Sequence, residues 1–433
     1  MQSDNNPPRD LKNRFDLFLE QAESLSEKCR LAQQHLLITQ RQETGEARPK
    51  TLRKFPHTET SALLGISKTF LDKFIAENAS NGCPSGTKTG NNRREFTLSD
   101  ILKIRTMMYG SSKDEKYRRW RDKSKGELLL TIAVGNFKGG SGKTTTTLTL
   151  AQYMALQGYH VLVIDLDSQA SATSTFGILP DDYYDHEYTI MPYLRGEKPL
   201  SGTVKTTHWP NIDIIPANLS LHEFEASSFS TWESKGDSTL YSLLRDGLKD
   251  PVIQDAYDVV IIDCPPSLGN LTTNAMYAAN GILITMPPRM FDFASTGQFL
   301  KMTHEVFTVY SQDLDYEAPD LYFAKMLLTN VMARKSATGQ RQMTTWANMT
   351  FGDMVMDSIF PNSNATDVIS NRKQTLYEIP LGSIEGVSRQ THKSAIESCN
   401  EIGEEFLSYL TSAWREQQIG EPSQLTIDEV SNG

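Results

Sequence analysis

Gly135-Asn-Phe-Lys-Gly-Gly-Ser-Gly-Lys-Thr-Thr-Thr146 is the stretch that decides the fold of this chain. An apolar run, residues 129–134, leads into it and a helical stretch leaves it. A phosphate chain needs backbone N–H groups converging from a loop without Cβ atoms in the way, a helix N-terminus behind the loop, and a cation. Gly139, Gly140 and Gly142 supply the loop, Lys143 reaches the β- and γ-phosphates, and Thr144 opens the helix with a hydroxyl suited to Mg²⁺. Ser141 and Thr145 complete the candidate nucleotide-binding set on this stretch. The common form of the loop has glycine where Phe137 stands. Lys138 follows instead, so a second lysine enters the loop.

Outward from the loop, short apolar runs alternate with helical stretches. Residues 129–134, 161–166, 213–216, 259–262, 282–285 and 323–328 read as strands buried on both faces, which predicts an α/β fold with a mostly parallel twisted sheet and flanking helices. One run ends Val161-Leu-Val-Ile-Asp165-Leu-Asp167-Ser-Gln169. Alternation points Asp165 and Asp167 the same way, towards the carboxyl edge where such sheets bind ligands. Another ends Val259-Val-Ile-Ile-Asp263-Cys-Pro-Pro-Ser-Leu-Gly269. An apolar run closing in an aspartate suits a metal-side carboxylate, and the turn after it suits a γ-phosphate sensor. The plainer alternative is that these aspartates only cap the helices that follow.

A chain of 433 residues predicts two or three domains. Leu11, Phe15, Phe18, Ala22, Leu25, Cys29, Ala32 and Leu36 step by four and three, so residues 1–48 read as a dimerisation helix or as an amphipathic helix packed on its own chain. Residues 49–110 read as a winged helix-turn-helix: a helix stopping at Gly65, a second capped by Ser67 with Phe70, Leu71 and Phe74 inward, then a hairpin with its tip at Gly90-Asn91. Lys68, Thr69 and Lys73 on the second helix, with Arg93 and Arg94 on the wing, are the candidate DNA contacts. The chain carries a formal charge of −10, yet residues 50–125 hold 17 Lys and Arg against 8 Asp and Glu. That local excess fits a DNA-facing module inside an otherwise acidic protein. Residues 111–127 read as a charged linker, 128–416 as the sheet domain and 417–433 as a flexible acidic tail. Cys29, Cys83, Cys264 and Cys399 lack Cys-x-x-Cys spacing, which argues against zinc, iron–sulfur and disulfide frameworks. With neither a signal pattern nor a membrane-length apolar run, the expected home is the cytoplasm.

At these residues the sequence resembles the ParA family of partition ATPases. Lys138-Gly-Gly-Ser-Gly-Lys143-Thr144-Thr is similar to that family's deviant phosphate loop, Asp165-Leu-Asp-Ser-Gln169 to its Asp-x-Asp-Pro-Gln strand end, and Asp263-Cys-Pro-Pro-Ser-Leu-Gly269 to its switch segment. The resemblance runs from Thr131 to about Trp414, and the N-terminal extension is similar to the large subclass that represses its own operon. It implies an ATPase of weak intrinsic activity that uses ATP/ADP and Mg²⁺. Lys138 would be the signature lysine that crosses to the partner's nucleotide in an ATP-bound homodimer, and Asp167 would position water. Asp165 would hold the Mg²⁺ shell, Asp263 would bind Mg²⁺ through water, and Thr329 and Asn330 would border adenine. The segment from Pro287 to Phe293 matches the family with no chemistry assigned.

The implied partners are a ParB-like centromere-binding protein and DNA, both operator and nonspecific, with no membrane; the implied location is nucleoid-associated. Ser168 departs from the family, which usually has proline there. The family's nonspecific-DNA arginines have no residue-by-residue match, leaving Arg334, Lys335, Arg372, Lys373, Arg389 and Lys393 as candidates, Arg372 and Lys373 foremost. Three alternatives fit less well. A MinD-like membrane-positioning ATPase would need a basic amphipathic C-terminal helix, where this chain reads Gly420-Glu-Pro-Ser-Gln-Leu-Thr-Ile-Asp-Glu-Val430. A nitrogenase-reductase-like carrier would need two cluster cysteines per subunit. A transcription factor that uses nucleotide only as a ligand would not need Asp167.

Overall fold

The computed structural model describes residues 50–90, 93–118, 120–178, 189–222, 224–225, 242–313, 320–332 and 338–419. The expected dimerisation helix, Asn91 at the wing tip, Arg334, Lys335 and the tail from residue 420 lie outside the described residues.

The basic segment folds as a small sheet with three helices. Strand β1 (Phe55–Pro56) precedes α1 (His57–Leu63), and α2 (Lys68–Glu77) follows after Gly65, whose φ of +66° makes the turn. The Ser67 hydroxyl accepts from the N–H of Phe70 and caps α2. Strands β2 (Thr87–Lys88) and β3 (Arg94–Phe96) form an antiparallel pair where the wing is expected, and β1 pairs with the far side of β3. Helix α3 (Leu98–Ser112) starts at a capping box of Thr97 and Asp100. One expectation is corrected: Phe70 is 46% exposed, and the inward face is Leu71, Phe74 and Ile75. Positions i, i+3 and i+4 from Leu71 share one face, and Phe70, one residue earlier, is turned off it to lie beside Phe74.

The larger sheet is built from β4 (Leu130–Gly135), β5 (Val161–Asp165), β6 (Lys205–Thr206), β7 (Ile212–Ile215), β8 (Val259–Asp263), β9 (Gly281–Met286), β10 (Phe323–Val331) and β11 (Val355–Pro361). Their order is β11-β10-β9-β4-β8-β5-β7-β6, all parallel except β6. Every residue of β4, β5, β8 and β9 is buried, which is why each reads as an unbroken apolar run. The chain leaves β4 towards β5 on one side, and β8 later leads to β9 on the other. Strand β4 therefore lies at the switch point, and the carboxyl-edge crevice of such sheets opens above it.

Helix α4 (Lys143–Gln157) follows β4 and is buried along most of its length. Helices α5 (Asn270–Ala278), α6 (Met290–Asp313), α7 (Thr338–Phe351) and α8 (Arg389–Ile419) complete the frame that positions the site. Gly403 of α8 lies so close to α4 that a Cβ there would fall 2.2 Å from the Tyr153 ring. One apolar cluster runs from Phe55, Leu71 and Phe96 through Leu150 and Met154 to Phe406 and Trp414, so the small three-helix part and the sheet share a core.

Polar contacts join them too. Arg105 of α3 is buried and donates to the carbonyl of Leu63 at 2.6 Å and to that of Gln157 at the end of α4. In the charged stretch after α3, the Arg121 N–H and Nε donate to Asp258 Oδ1 at 3.0 Å and Tyr257 O at 3.1 Å. Among the described residues no helix is long and apolar enough to cross a membrane.

Candidate nucleotide site

The loop between β4 and α4 turns through Gly140 (φ +73°) and Gly142 (φ +92°), a conformation that side chains strain to adopt. It is held from outside by the end of β10. Thr329 Oγ1 donates to Ser141 O at 2.7 Å, and Asn330 Nδ2 donates to Gly140 O at 3.3 Å. Thr329 and Asn330 thus lie against the loop backbone. Ser141 is buried and shares a 3.0 Å hydrogen bond with Thr285, while Gly139 is exposed. Lys143 is buried and donates to the Lys138 carbonyl at 3.2 Å. Burial lowers its pKa, against the opposing pull of Asp263 and Asp167. Thr144 and Thr145 are half-buried at the head of α4.

Strands β5 and β8 bring Asp165 and Asp263 side by side as register partners. Both are fully buried. Asp165 Oδ2 accepts from the Thr173 N–H at 2.9 Å and its hydroxyl at 2.7 Å, and Oδ1 accepts from the Asp167 N–H at 3.1 Å. Burial still raises its pKa to about 6. Asp263 differs: neither oxygen has a hydrogen-bond partner. Burial and the neighbouring Asp165 push its pKa well up, while the Thr144 hydroxyl and the Lys143 ammonium pull the other way. Asp167 sits half-exposed at the rim, where Oδ1 accepts from the Gln169 N–H at 2.9 Å. Beyond β8 the turn runs into α5, whose first N–H groups, Asn270 and Leu271, donate to Glu225 at 2.9 and 3.0 Å.

The sequence pattern did not reveal the surroundings of Lys138. Its ammonium lies 3.0 Å from Asp292 Oδ1. Asn136 Nδ2 donates to Thr285 O at 2.6 Å and to Thr296 Oγ1 at 3.2 Å, and Asn136 Oδ1 accepts from the Lys138 N–H. The one hint was that Asp292 falls in the segment from Pro287 to Phe293.

The candidate DNA contacts stand on other elements. Lys68, Thr69 and Lys73 are exposed on α2, with Lys73 3.7 Å from Glu77. Arg93 is exposed, whereas Arg94 is tied to Asp72 of α2 at 3.0 Å. Arg372, 3.7 Å from Glu385, and Lys373, at φ +51°, are exposed in the turn after residues 364–370.

Residues 129–316 match the family described as AAA domain. The chain is 34% identical over 403 residues to a protein of Sinorhizobium fredii that carries the name replication protein A, covering 92% of this chain and 94% of that one. It is 31% identical over 235 residues to the chromosome partitioning protein ParA of Caulobacter vibrioides, covering 54% of this chain and 81% of the relative. The chain belongs to the ParA family of partition ATPases. A solved structure titled "Partition Protein" shares the fold with a TM-score of 0.58 at 20% identity, covering 88% of this chain and 98% of that one. The ParA frame explains why the loop, the two strand-end aspartates and the β10 terminus converge at one edge of the sheet.

Proposed function

We propose that this ParA-family chain is the ATP-driven component of a DNA partition system. In this reading its ATP-bound homodimer holds DNA without sequence preference, and a ParB-like centromere-binding partner stimulates hydrolysis and so releases the DNA locally. The observation that carries the reading is the pairing of a buried lysine, Lys143, with a rim lysine, Lys138, on one glycine loop. A single chain needs one cation at the phosphates; the second suits a nucleotide on another chain. The same reading makes the protein nucleoid-associated.

Within one chain, Lys143 and the N–H groups from Gly139 to Thr145 bind the phosphates of ATP or ADP. The donor set fits Mg²⁺: Asp263 is a buried carboxylate with both oxygens unpartnered, and the Thr144 hydroxyl faces it. Thr144 and Asp263 would hold the ion, with Asp165 Oδ1 keeping an acceptor site for its water shell. When bound, the ion supplies charge neutralisation at the phosphates. Asp167, oriented through its own N–H on Asp165, positions the attacking water. Thr329 and Asn330 steady the loop and border the base. Lys68, Thr69, Lys73, Arg93 and Arg94 carry operator binding and autorepression, and Arg372 and Lys373 carry nonspecific DNA.

The test is ATP turnover by the full-length protein with DNA, with the centromere-binding partner, and with both. Synergy that needs both supports the reading. Full turnover with either alone, or none with both, overturns it.

A further inference from the structure

Lys138 is 38% exposed at its side chain, but the carboxylate behind it, Asp292, is 2% exposed. The cation sits at the rim and the anion in the interior. Asp292 stands in the first turn of α6, and its Oδ2 is buried without a hydrogen-bond partner. The same turn is fastened to the loop through the Asn136 and Thr296 side chains: the Thr296 hydroxyl donates to Asp292 O at 2.8 Å and accepts from Asn136 Nδ2, and Asn136 Oδ1 accepts from the Lys138 N–H. The side chain of Lys138 is therefore held by the first turns of α6 directly, and its main chain through Asn136.

Withdrawing Lys138 leaves a buried carboxylate without its cation, which is unfavourable. The lysine thus has two competing anions, Asp292 of its own chain and the phosphates of a partner's nucleotide. Resting on the reading that Lys138 acts between chains, we propose that Asp292 withholds Lys138 until the partner's nucleotide carries a third phosphate. Coulomb attraction to the phosphates grows with their charge, whereas the attraction to Asp292 is fixed. A fixed competitor weakens both pairings by the same factor, so the ADP-bound pair falls below the concentration at which it forms while the ATP-bound pair still forms. Asp292 is then a positioning residue that acts through Lys138.

Asp292→Asn keeps the shape and removes the charge. Full-length chains labelled with donor and acceptor fluorophores report closure of the ATPase pair by energy transfer, with ADP or a non-hydrolysable ATP analogue. The variant is expected to tighten the ADP-bound and the ATP-bound pair alike, each about tenfold, so that ADP-bound pairs appear at concentrations where the wild type pairs only with ATP. Nucleotide affinity of the separate chain and the unfolding midpoint should stay at wild-type values, and the effect should vanish in a Lys138→Ala background. If Asp292→Asn fails to fold, Asp292→Ser carries the same comparison. ADP-bound pairing no tighter than in the wild type, or an equal effect without Lys138, overturns the proposal. Normal ATP closure by Lys138→Ala removes the interchain reading and the proposal together, whereas failed closure by Lys138→Ala with wild-type ADP-bound pairing in Asp292→Asn removes the proposal alone.

Discussion

At the scale of single residues, the two loop lysines separate by environment. Lys143 is buried beside Asp263, so Lys143→Ala removes the charge that meets the phosphates and should weaken ATP binding by about two orders of magnitude. Lys138 sits at the rim, so Lys138→Ala should keep nucleotide affinity and lose turnover. Calorimetric titration of both variants checks this, and equal losses of affinity would count against separate roles. Asp167→Ala should bind nucleotide normally and hydrolyse about 10²-fold more slowly, because a water-orienting carboxylate acts on the barrier more than on the bound state. Wild-type single-turnover rates in that variant would shift the role to another group. The sequence made the loop and the aspartates legible because strand-end position and glycine spacing are local signals. Asp292 was not legible as the partner of Lys138: the two are joined by an ion pair across 154 positions of chain, and no local pattern encodes it.

At the scale of elements, the buried parallel strands were legible and the edges were not. Strands β4, β5, β8 and β9 are covered on both faces, so their composition alone announces them. Strand β11, Val355-Met-Asp-Ser-Ile-Phe-Pro361, is an edge with polar residues inside it, and two-residue β6 is too short to leave a pattern. The edge is stabilised from α8. Glu405 accepts from the Asp357 N–H at 3.0 Å and the Ser358 N–H at 2.7 Å, capping donors that an edge strand would otherwise leave open. Burial raises the Glu405 pKa, but bonds from Ser358, Tyr409 and Asp357 outweigh it and the net shift is downward from 4.5. A depressed folded-state pKa gives stability that is present above the unfolded value and lost as pH falls through the folded one. Glu405→Gln should therefore lower the unfolding midpoint at pH 7, by the equivalent of about 1 kcal/mol. The gap to wild type should close below about pH 4.5. A gap that persists undiminished to pH 3 would refute the carboxylate's part in holding the edge.

For the whole molecule, the proposed function asks a chain of net charge −10 to hold DNA in two ways. The part that carries α1 to α3 shares a core with the sheet and is joined to it through Arg105, and the stretch after it through Arg121, so the exposed lysines on α2 move with the sheet. Operator binding should accordingly be measured on the full chain, where Lys68→Ala with Lys73→Ala weakens it without touching the nucleotide loop. Nonspecific binding needs a different basic surface. An acidic protein acquires one only where local charges from two copies are brought together, which makes the activity depend on ATP-driven pairing. Arg372 and Lys373 are exposed in one turn and are the charges proposed for this surface. Each phosphate contact contributes about 0.9 log units of affinity per log unit of salt, so random-DNA binding should fall steeply with salt and appear with ATP but not ADP. Changing Arg372 and Lys373 together to Glu should cut random-DNA affinity at least about tenfold and flatten the salt slope by up to about two per chain, leaving operator binding intact. Fluorescence anisotropy with a random duplex and an operator duplex, each across a salt series, makes the comparison. Random-DNA affinity that is equal with ADP and ATP, or a double variant that loses operator and random binding alike, would refute a second, ATP-gated DNA surface.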